Sequence, residues 1–68
     1  MVNANKIKGR MAEMGISQEE AAEALGIKQP TFSQKCNGVR DFKTHEVQKL
    51  VALLNIDDKD VVQYFFAH

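Results

Sequence analysis

The stretch SQEEAAEALG, residues 17–26, constrains the fold more than any other part of the chain. Ser17 with Glu20 three residues on is an S-x-x-E capping box. In it the Ser17 hydroxyl accepts from the Glu20 N–H, and the Glu20 carboxylate accepts from the Ser17 N–H. Glu19 and Glu20 also put negative charge in the first turn, where the helix dipole favours it. Ala21, Ala22, Ala24 and Leu25 are strong helix formers with small side chains, so another helix can approach closely. Gly26 then stops the helix. The other breakers are equally isolated, which suits short helices joined by short turns.

A first helix is predicted over roughly Asn5–Met14, with Ile7, Met11 and Met14 as one apolar stripe and core, and Gly15 as its left-handed cap. A third helix starts near Gln29. Pro30 is tolerated in a first turn, yet it biases Gln29 away from the helical region, so the first turn is placed at Gln29 or Pro30. Phe32 anchors this helix, Cys36 lies on the same stripe, and Asn37-Gly38 closes it. A basic loop over 39–43 follows. In a fourth helix, about Thr44–Leu54, Val47, Leu50, Val51 and Leu54 fall at i, i+3, i+4 and i+7. Asp57 is expected to cap a short fifth helix through Val61 and Val62. The end, Gln63-Tyr64-Phe65-Phe66, fits either a continued helix or an extended strand. The fold class is therefore all-α: one domain, residues 1–68, built as a compact bundle of five short helices.

Length and composition narrow the function. Sixty-eight residues bury a small core and leave modest stability. Cys36 is the single cysteine, so no disulfide forms within the chain. With His45 and His68 far apart, no zinc spacing exists. Cys36 has no His placed to activate it and reads as a small core residue. His45 reads as surface. Asp57, Asp58 and Asp60 lack the glycine and closing glutamate of a calcium loop. The longest apolar run, Leu50–Leu54, is far below a membrane span, and the N-terminus lacks the apolar core of a signal peptide. A reduced, cytoplasmic setting is expected, with no cofactor, no metal, no small-molecule ligand and no membrane partner. Without a nucleophile–base set or room for a substrate pocket, the chain is not expected to be an enzyme.

Net charge is zero, but its distribution is not even. Residues 1–12 carry Lys6, Lys8 and Arg10 and no acid. Residues 13–27 carry Glu13, Glu19, Glu20 and Glu23 and no base. Residues 28–45 carry Lys28, Lys35, Arg40 and Lys43 against Asp41, and residues 46–68 are again acidic. Two basic blocks flanking an acidic one suit a polarised molecule.

Two short helices separated by Gly26-Ile27-Lys28 make a helix-turn-helix pattern. The stretch GISQEEAAEALGIKQPTFSQKCNG, residues 15–38, resembles the Cro/lambda-repressor-like helix-turn-helix family. That family shows Gly, an apolar residue, Ser or Thr, Gln and two acids, then Ala, Gly and an apolar residue at fixed spacing before Asn-Gly. Counted from Gln18, these positions hold Ala22, Gly26 and Phe32, with Asn37-Gly38 beyond. The resemblance covers about residues 5–62. With KIKGR, RDFKTHEV and the YFF end, the chain looks most like small regulators encoded by phages and prophages of Gram-positive bacteria.

The resemblance implies a DNA-binding transcriptional regulator that reads the major groove of a double-stranded operator with its third helix. Carried over by position, Lys28, Gln29, Pro30, Ser33 and Gln34 would face base edges. Gln29 and Gln34 suit adenine and Lys28 suits guanine, whereas Pro30 can only pack on a thymine methyl or shape the turn. Gln18, Asn37, Arg40 and Lys43 would hold phosphates, Gln18 beside a helix N-terminus that favours anions. The family often joins the positions of Met11 and Cys36 by an Arg–Glu ion pair, and here both are apolar. A two-fold operator needs a two-fold protein. Residues 63–68 form the candidate dimerisation tail, with Tyr64, Phe65 and Phe66 as its contacts, in a homodimer weak off DNA. Folding back of Phe65 and Phe66 to cap the core of a monomer is the alternative for that tail. Two rival functions also remain open: an antitoxin or accessory regulator whose tail binds a protein, and a protein-binding module without DNA affinity.

Overall fold

The computed structural model describes residues 2–66 of the chain and is helical, with no strand among those residues. Helix α1 spans Ala4–Met14, α2 Gln18–Leu25, α3 Gln29–Cys36, α4 Thr44–Leu53 and α5 Val61–Phe65, with a single 3-10 turn over Asp58–Asp60 leading into α5. The all-α, five-helix expectation agrees with this order. Helix α2 is central: it packs against both α3 and α4, while α1 packs against α5.

The helix boundaries follow local chemistry. Asn3 caps α1 by accepting from the Lys6 N–H at 3.1 Å, and Gly15 closes that helix at φ 68°. Both halves of the Ser17–Glu20 box are formed, at 3.1 and 3.2 Å. Gly26 adopts φ 75°, a left-handed conformation that glycine enters without a Cβ penalty, and lets the chain reverse into α3 within three residues. Helix α3 begins at Gln29, so Pro30 occupies its second position and does not displace its start.

The core joins Ile7 and Met11 of α1, Ala21, Ala22 and Leu25 of α2, Phe32 and Cys36 of α3, Leu50 and Leu54 around α4, Ile56, and Phe65 of α5. Two expectations are corrected and one open alternative is resolved. Met14 is not core: it is 40% exposed, because α1 ends there and Ile16, just past the Gly15 turn, packs on the core in its place. The Asp57 side chain caps nothing. Its backbone carbonyl accepts from the Asp60 N–H at 2.9 Å, which makes the 3-10 turn and delays α5 to Val61. The segment after Gln63 continues as helix through Phe65, and Ala67 and His68 of the expected tail lie outside the described residues.

Two polar links that hold the bundle are not legible as motifs. Arg10 donates from Nε to the Leu54 carbonyl at 2.8 Å and from its guanidinium to the Asn55 carbonyl at 3.2 Å. It satisfies carbonyls at the end of α4, where a cation also complements the dipole. Asn55 there adopts φ 51°, which an asparagine tolerates better than most residues. The second link is a buried ion pair between Lys35 of α3 and Glu46 of α4.

Candidate nucleic-acid interface

Helix α3 divides its residues cleanly. Phe32, Lys35 and Cys36 face inward and are buried. Pro30 and Gln34, four residues apart, lie on the opposite side and are exposed, as are Lys28 and Gln29 at the helix start. Ser33 is half-buried at the edge of this face. Lys28 is the N-cap residue, its side chain makes no capping bond, and the first turn of α3 holds no acid. The positive end of the helix dipole is therefore left uncompensated beside a lysine.

The loop after α3 turns back against the helix. The Val39 and Arg40 N–H groups both donate to the Gln34 carbonyl, at 2.9 and 3.3 Å. Gly38 makes this reversal at φ 81°. Phe42 anchors the loop from below, its ring edge-on to Phe32 at 6.1 Å and to Phe65 at 5.7 Å. Arg40 and Lys43 are exposed on this pinned loop. Asn37 is exposed and already engaged: its Oδ1 accepts from Lys8 Nζ at 3.1 Å, and its Nδ2 donates to Ser33 Oγ at 3.5 Å. Gln18 opens α2 and is half-buried, and it shares a shallow hollow with Lys8.

Of the residues expected to face base edges, Gln29, Pro30, Ser33 and Gln34 thus lie in α3 and Lys28 is its N-cap, while Asn37 and Arg40, expected to hold phosphates, adjoin its C-terminal end. Lys8 joins this group through Asn37. The sequence offered no periodic signal for that, since the two residues are 29 apart. Arg10, by contrast, is drawn out of the basic block into the capping of α4.

Buried near this face, Cys36 has its thiol pushed up to about 11 by burial, against a smaller opposing effect of the Lys8 charge. It is protonated at neutral pH and no nucleophile. Burial raises the Glu46 carboxyl, but the hydrogen bond from Lys35, the Lys43 N–H and the Lys35 charge outweigh it, so its pKa lies below the usual glutamate value.

The tail residues separate by burial. Phe65 is 3% exposed and belongs to the chain's own core, so it is not free to form a dimer contact as expected. Tyr64 is half-buried, with Lys6 Nζ 4.9 Å from its ring centroid, and its carbonyl accepts from the Asn3 N–H at 2.8 Å. Phe66 is 56% exposed, with Val62 also exposed. Beside Phe66 lies an apolar groove of about 310 Å³ that includes Val2, Phe42, Val47 and Phe65. No helix among the described residues is long and apolar enough to cross a membrane.

A search of curated proteins finds no match. A family model does match, over residues 2–68, and the chain belongs to that family, described as a protein of unknown function (DUF739).

Proposed function

We propose that this protein is a sequence-specific DNA-binding transcriptional regulator of the Cro/lambda-repressor-like kind, of phage or prophage type, acting in the bacterial cytoplasm. One observation carries the reading. The exposed face of α3 holds Lys28, Gln29, Pro30 and Gln34 and no acid, and the cations Arg40 and Lys43 stand exposed on the loop pinned to its end. A major groove accepts one α-helix, and amide side chains read adenine there through paired donor and acceptor atoms. Flanking cations take phosphate oxygens and fix register. The small contact residues Ala21 and Ala22, with Gly26 at the turn, let α3 approach α2 closely while its outer face stays free.

Two copies would engage a two-fold operator through Phe66 and Tyr64. The groove beside Phe66 also favours a second reading, an accessory regulator that binds DNA and takes a protein partner at its tail. The test of the shared claim is titration of random-sequence duplex at several salt concentrations, followed by selection of preferred sites from a random pool. Salt-dependent binding with an enriched two-fold site supports the proposal. Failure to bind random duplex at low salt refutes it.

A further inference from the structure

We infer that the buried Lys35–Glu46 pair is a positioning device. It locks the reading helix to the phosphate-binding loop, so that base and backbone contacts meet DNA in one register. The inference rests on the DNA-binding reading above.

Lys35 and Glu46 are only 6% and 2% exposed, and they are the buried charged residues among those described. Taking two charges out of water is costly, and an apolar pair of similar volume is often as stable or more so. Stability alone is therefore a poor reason for this pair. Its placement suggests another. Helices α3 and α4 each pack on α2, and neither leans on the other to the same extent. The ion pair is a direct tie between them. Glu46 makes a second bond with the same Oε1, accepting from the Lys43 N–H at 2.8 Å. One carboxylate thus holds both the last turn of α3 and the end of the loop that carries Arg40 and Lys43. The loop's other end is fixed by the Gln34 carbonyl. The residues assigned to bases and those assigned to phosphates are so joined through a single buried atom. Phosphate contacts carry no sequence information of their own, but they set where the reading helix sits. If the two could shift independently, affinity for any DNA would survive while discrimination between sequences fell.

The test compares wild type, Lys35→Met with Glu46→Leu, and Glu46→Gln alone. The double variant removes both charges. The single variant is isosteric, keeps an acceptor for Lys43, weakens the tie to Lys35, and remains testable if the double variant fails to fold. Thermal melting establishes folding. Affinity is then measured for random-sequence duplex and for a duplex selected from a random pool by the wild type. In the folded variants, affinity for random duplex should stay within about twofold, while preference for the selected site should fall about tenfold, the cost of misaligning one base contact. A merely structural role would lower Tm and leave that preference intact. Folded variants with undiminished preference overturn the inference while leaving the DNA reading standing. A wild type with no preference between the two duplexes overturns both.

Discussion

Glu46 links the stability of this fold to pH at the acid end. Its folded-state pKa is held below the ordinary glutamate value by Lys35 and the Lys43 N–H. A carboxyl with a depressed folded pKa contributes stability that is fully present above its unfolded value, ~4.3, and lost as pH falls through the folded value. Tm should therefore be insensitive to pH near neutrality, where the Glu46 contribution is fully present, and drop on acidification below that range. Glu46→Gln should start lower and show a shallower drop, measured by melting both proteins from pH 7 to pH 3. Parallel curves would show that the pair contributes nothing to the pH dependence. The sequence held half of this feature. Lys35 stands three residues after Phe32 and one before Cys36, hence on the buried face of its helix, and a lysine there needs a partner. The partner, eleven residues on across a loop, follows no helical spacing. Met11 and Cys36, expected in the core, are both buried, and the buried ion pair joins Lys35, the residue before Cys36, to Glu46 of α4.

At the scale of elements, caps and apolar periodicity placed nearly every helix. Ser17–Glu20, Gly15 and Gly26 act within a few residues, so their chemistry is local and readable. The loop after α3 is different. Its shape depends on Phe42 meeting Phe32 and Phe65, contacts distant in sequence. The same separation hid the Lys8–Asn37 bond and the capping of α4 by Arg10. The proposed interface makes its two kinds of residue behave differently. Gln34→Ala should weaken binding to a preferred site by about 1–3 kcal/mol, mostly at one base position per half-site. Arg40→Ala and Lys43→Ala should each lower affinity for all duplexes and reduce the salt slope by about one. Among the described residues, neither cation's side chain makes a hydrogen bond or an ion pair. The Lys43 bond to Glu46 uses its backbone N–H, and the Arg40 bond to Gln34 likewise. Binding titrations against site variants and across salt separate these effects. A uniform loss for Gln34→Ala would move it to the backbone set, and an unchanged slope would turn the loop away from phosphate.

The whole molecule measures 27 × 24 × 20 Å, less than the 34–36 Å between half-sites one helical turn apart. On the proposed reading each copy presents one α3, so two copies would meet the two halves of such an operator. Consecutive aromatics in a short helix cannot all point inward, which is why the sequence could say that one ring stays outside but not which one. Phe65 took the core position, facing Phe42, and Phe66 was left exposed. Phe65→Ala should cost about 3–5 kcal/mol, most of the stability of so small a domain. Phe66→Ser should change Tm little yet weaken association on DNA, seen by sedimentation with and without a two-half-site duplex. Unchanged association would free the exposed ring and its groove for another partner. The most direct test of the central claim is the binding of purified wild-type protein to random-sequence duplex across salt concentrations. Measurable binding at low salt is expected, with log affinity falling linearly with log salt at a slope of roughly −2 or steeper per protomer, as Arg40 and Lys43 displace counterions. No binding at low salt, or binding indifferent to salt, would contradict it.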